Sequence, residues 1–180
     1  MIGVLALQGN FTKHIELLKR LGISSTEVRY SDQLNDVDGL VLPGGESSVM
    51  SDLIVRNNLL EPIVEFSRSK PILATCAGII LMSKKTNDSR VIPLNILDIE
   101  IYRNAYGRQI HSFVDTIQVD LNGTTSSIVA SFIRAPKIAK LGNEIEVLAT
   151  HNGTPVAIRN DRHIGLTSVS YTHLTLPTTR

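Results

Sequence analysis

Short, almost wholly apolar runs alternate with amphipathic segments through the first half of the chain. Residues 2–7 form such a run and predict a strand buried on both faces. Residues 12–21 follow with Ile15, Leu17, Leu18 and Leu21 set among Lys13, Glu16, Lys19 and Arg20, a helical stripe closed by Gly22. A short strand is predicted over 26–30, a helical turn from 31, and a third buried strand over 39–42 that stops at Pro43-Gly44-Gly45. A helix from Glu46-Ser47-Ser48 to about Val55 is broken by Asn57-Asn58, and a second over 60–67 carries Pro62 in its first turn. Residues 71–74 then read as a buried strand and 79–82 as the start of another helix. Alternation of this kind predicts a parallel sheet with right-handed crossovers.

The second half changes period. Residues 91–94 and 96–101 suggest extended structure, and 112–119 alternate apolar with polar residues, as a strand with one buried face does. Further short strands are predicted over 128–133, 146–149 and 155–159, with turns at Asn122-Gly123 and Asn152-Gly153. The expected fold is α/β: a three-layer, flavodoxin-like, mostly parallel sheet flanked by helices, with an added antiparallel β segment and no separate domain boundary.

Composition narrows the function classes. The chain has 180 residues, 42% hydrophobic and 19% charged, with a net charge of +1. That suits one globular domain and gives no electrostatic case for nucleic acid or an acidic membrane surface. No stretch approaches the roughly 20 apolar residues of a membrane span. The first nine residues lack a basic leader and read as a strand rather than a signal segment. The single cysteine, Cys76, excludes an internal disulfide framework and fits a reducing compartment, so a cytoplasmic location is expected.

Cys76 lies between the strand at 71–74 and the helix at 79–82, with small Ala77 and Gly78 after it. This is a nucleophile elbow with sulfur in place of oxygen, and a helix N-terminus there is expected to lower the thiol's pKa. Against this stands the more common role of a lone cysteine as a small buried hydrophobe. Pro43-Gly44-Gly45-Glu46-Ser47-Ser48 ends another strand and exposes backbone N–H groups suited to an oxyanion or carboxylate; read alone it is an ordinary turn. Arg103 or Arg108, in a predicted loop, offers a fork of donors for a substrate carboxylate, and Phe132-Ile133-Arg134 ends a strand in an arginine. A cysteine nucleophile needs a base. Of His14, His111, His151, His163 and His173, His14 is expected to be exposed among basic neighbours, and none stands beside an obvious carboxylate, so the base stays unassigned.

Taken together and in this order, the segments Leu5-Ala6-Leu7-Gln8-Gly9, Pro43-Gly44-Gly45-Glu46-Ser47-Ser48, Thr75-Cys76-Ala77-Gly78, the run 103–109 and Phe132-Ile133-Arg134-Ala135-Pro136 are similar to the glutaminase subunits of pyridoxal 5′-phosphate synthase, the PdxT type of class I glutamine amidotransferase. The resemblance implies that Cys76 attacks the side-chain amide of L-glutamine, that a glutamyl thioester forms as ammonia leaves, and that water releases glutamate. It implies glutamine binding by Gly45, Glu46, Ser47, Arg103, Ile133 and Arg134, and oxyanion donors at the Gly45 and Ala77 N–H groups. No metal or cofactor is implied. Ammonia would pass to a partner synthase subunit of TIM-barrel fold, which builds pyridoxal phosphate from two sugar phosphates; such glutaminases are poorly active until docked.

Two departures stand out. Ala74 replaces the usual glycine of the elbow. More seriously, the family closes with Phe-His-Pro-Glu-Leu, whose histidine and glutamate complete the triad; here Val169 and Tyr171 hold those positions. The expected amidotransferase domain is therefore 1–169, with 170–180 a threonine-rich tail foreign to the family. One reading is a coding sequence truncated or joined to foreign sequence near Thr167. The others are a diverged subunit that binds glutamine without turning it over, and His173 reaching back as the base. A different α/β protein with a redox or hydrolase cysteine is a further alternative, which leaves the 103–109 segment unexplained.

Overall fold

The computed structural model describes residues 1–103 and 112–169. In chain order the elements are β1 (Ile2–Leu5), α1 (Phe11–Arg20), β2 (Ser25–Val28), a 3-10 turn (Ser31–Asp36), β3 (Gly39–Leu42), α2 (Ser47–Arg56), α3 (Leu60–Ser67), β4 (Ile72–Thr75) and α4 (Ala77–Met82). They continue with β5 (Ser83–Thr86), β6 (Leu97–Tyr102), β7 (Phe113–Leu121), β8 (Thr124–Phe132), β9 (Lys137–Leu141), β10 (Glu146–His151), β11 (Thr154–Asn160) and β12 (His163–Leu166).

The apolar runs become the middle of one sheet, ordered β10-β11-β12-β4-β3-β1-β2. From β12 to β2 all pairs are parallel; β11 and β10 are antiparallel additions. The parallel part has the flavodoxin-like order, so its ligand crevice is expected outside the carboxyl ends of the strands, where β1 and β3 part. Helix α1 packs on β1 and β2, and α4 packs on β4, β3 and β12. Gly22 ends α1 at φ +72° in a Schellman motif: Ile23 N–H donates to Leu18 O and Gly22 N–H to Lys19 O. One large core is built from Leu5, Leu40, Leu42, Met50, Ile63, Ile79 and Leu81 with their neighbours, and a smaller one from Ile117, Phe132, Leu148 and Val156.

The antiparallel segment is larger than the sequence suggests. β7 and β8 form a long ribbon and β5-β6-β9 a second small sheet. Both Asn-Gly pairs are two-residue hairpin loops with positive φ at each residue (54° and 78° at Asn122-Gly123, 49° and 77° at Asn152-Gly153), the type I′ pattern. One expectation needs correction, and two strands are additions. Residues 91–94, expected to be extended, are not a strand but part of an irregular segment tied down by Leu94 N–H to Leu81 O and Ile96 N–H to Met82 O, while the run expected over 96–101 forms β6. β5 and β9 carry too many lysines to show alternation and were not expected. The predicted loop residue Arg108, along with His111, Tyr171, His173 and the expected tail 170–180, lies outside the described residues.

Candidate active site

Three strand ends meet at one edge of the sheet. β1 runs into Gln8-Gly9-Asn10, β3 into Pro43-Gly44-Gly45-Glu46, and β4 into Cys76; β3 lies between β1 and β4. Backbone ties lock the turns together. Asn10 N–H donates to Gly44 O at 2.8 Å, Glu46 N–H to the Gln8 side-chain carbonyl Oε1 at 3.0 Å, and Cys76 N–H to Leu166 O at 2.9 Å. Gly45 is required by this crowding, since a Cβ there would stand 2.5 Å from Gln8 Oε1. Gly78 lets α4 press onto β3; its Cβ would stand 2.3 Å from Leu42 O.

Cys76 occupies the elbow with φ 49° and ψ −106°, a conformation that costs a non-glycine residue about 1–3 kcal/mol. Arg134, after β8, is also left-handed at φ 47°. The elbow opens into a cavity of about 370 Å³ lined by Asn10, Gly45, Glu46, Ser47, Cys76, Ala77, Ile80, Arg103, Ile133, Arg134 and Val169. Every residue expected to bind glutamine or supply an oxyanion donor is in that lining. Asn10 and Ile80 join them; the only sequence signal for Asn10 was its place after a buried strand.

Within the cavity, Arg103 Nη2 and Glu46 Oε1 pair at 2.8 Å, and Ser48 Oγ donates to the same carboxylate oxygen at 3.0 Å. Ser47, at the first turn of α2, is buried, and its hydroxyl has no partner among the described residues. A buried hydroxyl left unpaired is costly, so this one is poised for a ligand atom. The Cys76 thiol departs from expectation. Burial pushes its pKa up, and this outweighs the Ala77 N–H and the Arg103 charge, which pull it down; Glu46 adds to the rise. At neutral pH the sulfur is a thiol.

The histidines also differ from the sequence reading. His14 is buried rather than exposed, its ring nitrogen Nε2 3.2 Å from Thr75 Oγ1, and burial depresses its pKa to about 4. The stripe Ile15, Leu17 and Leu18 hid this, because His14 shares the inward face despite its basic neighbours. His151 does have a carboxylate partner, Asp115 Oδ2 at 2.8 Å, and packs against Phe113 and Phe132, which stack on each other. His163 Nδ1 accepts Ile72 N–H at 3.2 Å, at the opposite end of β4 from Cys76. Among the described residues no histidine lines the cavity. Val169 does, buried, its N–H donating to Ser131 O at 2.9 Å.

Comparison with known proteins shows the family. Residues 4–173 match the model of the SNO glutamine amidotransferase family. The chain is 45% identical over 159 residues to "Pyridoxal 5'-phosphate synthase subunit PdxT" of Shouchella clausii, covering 88% of this chain and 80% of that protein. To the PdxT of Thermotoga neapolitana it is 41% identical over 167 residues, 92% of this chain and 88% of that protein. A crystal structure of a glutamine amidotransferase superposes with a TM-score of 0.87 at 36% identity, over 93% of this chain and 88% of that one. The PurLQS structure from Thermotoga maritima, 16% identical with a TM-score of 0.68 over 93% and 85% of the two chains, shares the fold. The chain belongs to the SNO glutamine amidotransferase family.

Proposed function

We infer that this chain is the glutaminase subunit of a pyridoxal 5′-phosphate synthase and that Cys76 is its nucleophile. One observation carries the reading: Cys76 shares a single cavity with Gly45, Glu46, Ser47, Arg103, Ile133 and Arg134. An amino acid fits this lining by charge. Its α-carboxylate meets Arg103, its α-ammonium meets Glu46, and its side-chain amide reaches toward Cys76. The Cys76 sulfur attacks the amide carbon as its thiol proton passes to the amide nitrogen, and the N–H groups of Gly45 and Ala77 steady the oxyanion. Collapse of that intermediate breaks the carbon–nitrogen bond, and the nitrogen leaves as ammonia. Water then cleaves the thioester to glutamate and the free thiol. The ammonia passes to a synthase subunit of TIM-barrel fold. The reduced cysteine this requires fits the cytoplasm.

A second reading, a subunit that binds glutamine with little turnover, is favoured by two features of the same cavity. Val169 offers no acceptor for the thiol proton, and burial keeps that proton on sulfur. Both readings share the glutamine site and differ in rate. The deciding assay is ammonia release from L-glutamine with the partner synthase present. We expect turnover orders of magnitude below that of an intact relative. Ammonia release at the relative's rate would remove the second reading, and failure of glutamine to bind would remove both.

A further inference from the structure

We propose that Asp88 is a positioning residue for substrate recognition: it holds Arg103 from outside the cavity so that one face of the guanidinium stays available to a substrate carboxylate. This rests on the reading of the cavity as an amino-acid site. The register of the small sheet brings the two residues together. β5 pairs with β6 so that Thr86 lies beside Ile101, which carries Asn87 and Asp88 alongside Arg103. Asn87 holds the main chain, its Oδ1 accepting Arg103 N–H at 2.8 Å. Asp88 Oδ2 takes Nη1 of Arg103 in a short ion pair, while Nη2 reaches Glu46. Arg90 closes the set, its Nε and Nη2 on the two Asp88 oxygens at 2.9 and 2.8 Å.

The placement separates the roles. Glu46 and Arg103 line the cavity; Asp88 is not in the lining and is only 10% exposed, against 68% for Arg90. The four side chains carry two positive and two negative charges and form a closed set. A zwitterionic head group enters such a set without unbalancing it. The Glu46–Arg103 pair opens, the α-ammonium takes Glu46, and the α-carboxylate takes the Nη2 face of Arg103. Throughout, Nη1 stays on Asp88. Without Asp88 the guanidinium has one anionic partner left among the described residues, Glu46, and a fork that matches a carboxylate closes onto it with both arms. The site then shuts against the head group.

The test is the rate of Cys76 labelling by a chloroketone analogue of L-glutamine, measured against reagent concentration on the full chain. Iodoacetamide, which has no head group, serves as the parallel probe. Replacing Asp88 by Ala or by the isosteric Asn (D88A, D88N) is expected to raise the half-saturating concentration about tenfold, the size of one charge-assisted hydrogen bond. The maximal labelling rate and the iodoacetamide rate should stay within about twofold of the parent, and D88E should recover most of the lost affinity. Unchanged or tighter half-saturation in D88N overturns the proposal. So does a parallel fall of iodoacetamide labelling and melting temperature in D88A, D88N and D88E alike, which marks a purely structural residue. If the parent chain itself labels without saturation, the amino-acid site is wrong and the proposal goes with it.

Discussion

Acidification should weaken the fold through His14, and the size of the effect can be worked out in advance. His14 sits in the first turn of α1, buried against Thr75, and burial lowers its pKa from 6.5 to about 4. The folded state therefore prefers the neutral ring, while the unfolded chain takes up a proton below its ordinary value. Stability from this residue is complete above about pH 6.5 and is lost as pH falls toward the folded value of about 4. The full interval spans about two and a half pH units, or about 3 kcal/mol. Between about pH 7 and about pH 4.5 the loss comes to about 2 kcal/mol. Urea unfolding at both pH values measures it, with H14Q as reference, since glutamine keeps a polar contact for Thr75 and does not titrate. His163, whose pKa burial also lowers, and the paired carboxylates titrate equally in both proteins and cancel. The parent should lose about 2 kcal/mol more than H14Q over that interval. Equal losses would show that His14 is either solvated or already charged in the fold.

Three further outcomes follow from the site. Val169→His should raise ammonia release measurably above the parent, because it places a proton acceptor in the cavity beside Cys76; a rate no higher in a folded variant would mean that the position does not face the thiol. Iodoacetamide labelling of Cys76 should keep rising as pH passes the ordinary thiol range, since the folded thiol titrates higher, and a plateau near neutral pH would contradict the raised pKa. Gly78→Ala should cost about 1–3 kcal/mol in denaturant unfolding, because its methyl meets the Leu42 carbonyl and helix α4 must move off β3. A change within about half a kcal/mol would show that the helix has room to shift.

Much of the parallel half was legible because buried strands declare themselves. The runs 2–7, 39–42 and 71–74 became β1, β3 and β4, and helices α2 and α3 ended within a residue or so of where Asn57-Asn58 and the 60–67 stripe placed them. The turns after those strands were legible for the same reason, which is why Gly45, Glu46, Ser47 and Cys76 could be grouped. Arg103 was one of two arginines that the residues alone offer for a carboxylate; family likeness singled it out and added Ile133 and Arg134, since nothing local brings residues 103 and 134 to residue 76. Long-range pairing does that: β6 lies against β5, which follows directly on α4. The lysine-rich strands β5 and β9 hide because they are ion-paired on an exposed face, with Lys84 on Asp98 and Lys140 on Glu100. The sign of the Cys76 pKa was misjudged because a helix N-terminus can be seen in a sequence, whereas the depth of burial that outweighs it cannot. The set of charges around Arg103 had no sequence signal either, since nothing in the spacing of Asp88 and Arg90 points to residue 103.

Cys76, as a nucleophile set in a glutamine site, should take a covalent label from a substrate-like reagent. Treatment with the glutamine chloroketone, followed by peptide mass analysis, should give a single adduct on Cys76. L-Glutamine should suppress that adduct in a saturable way, and D-glutamine should not, because only one hand places both head-group charges on Glu46 and Arg103. An adduct formed equally with and without L-glutamine, or none at all on a thiol that iodoacetamide reaches, would contradict the account.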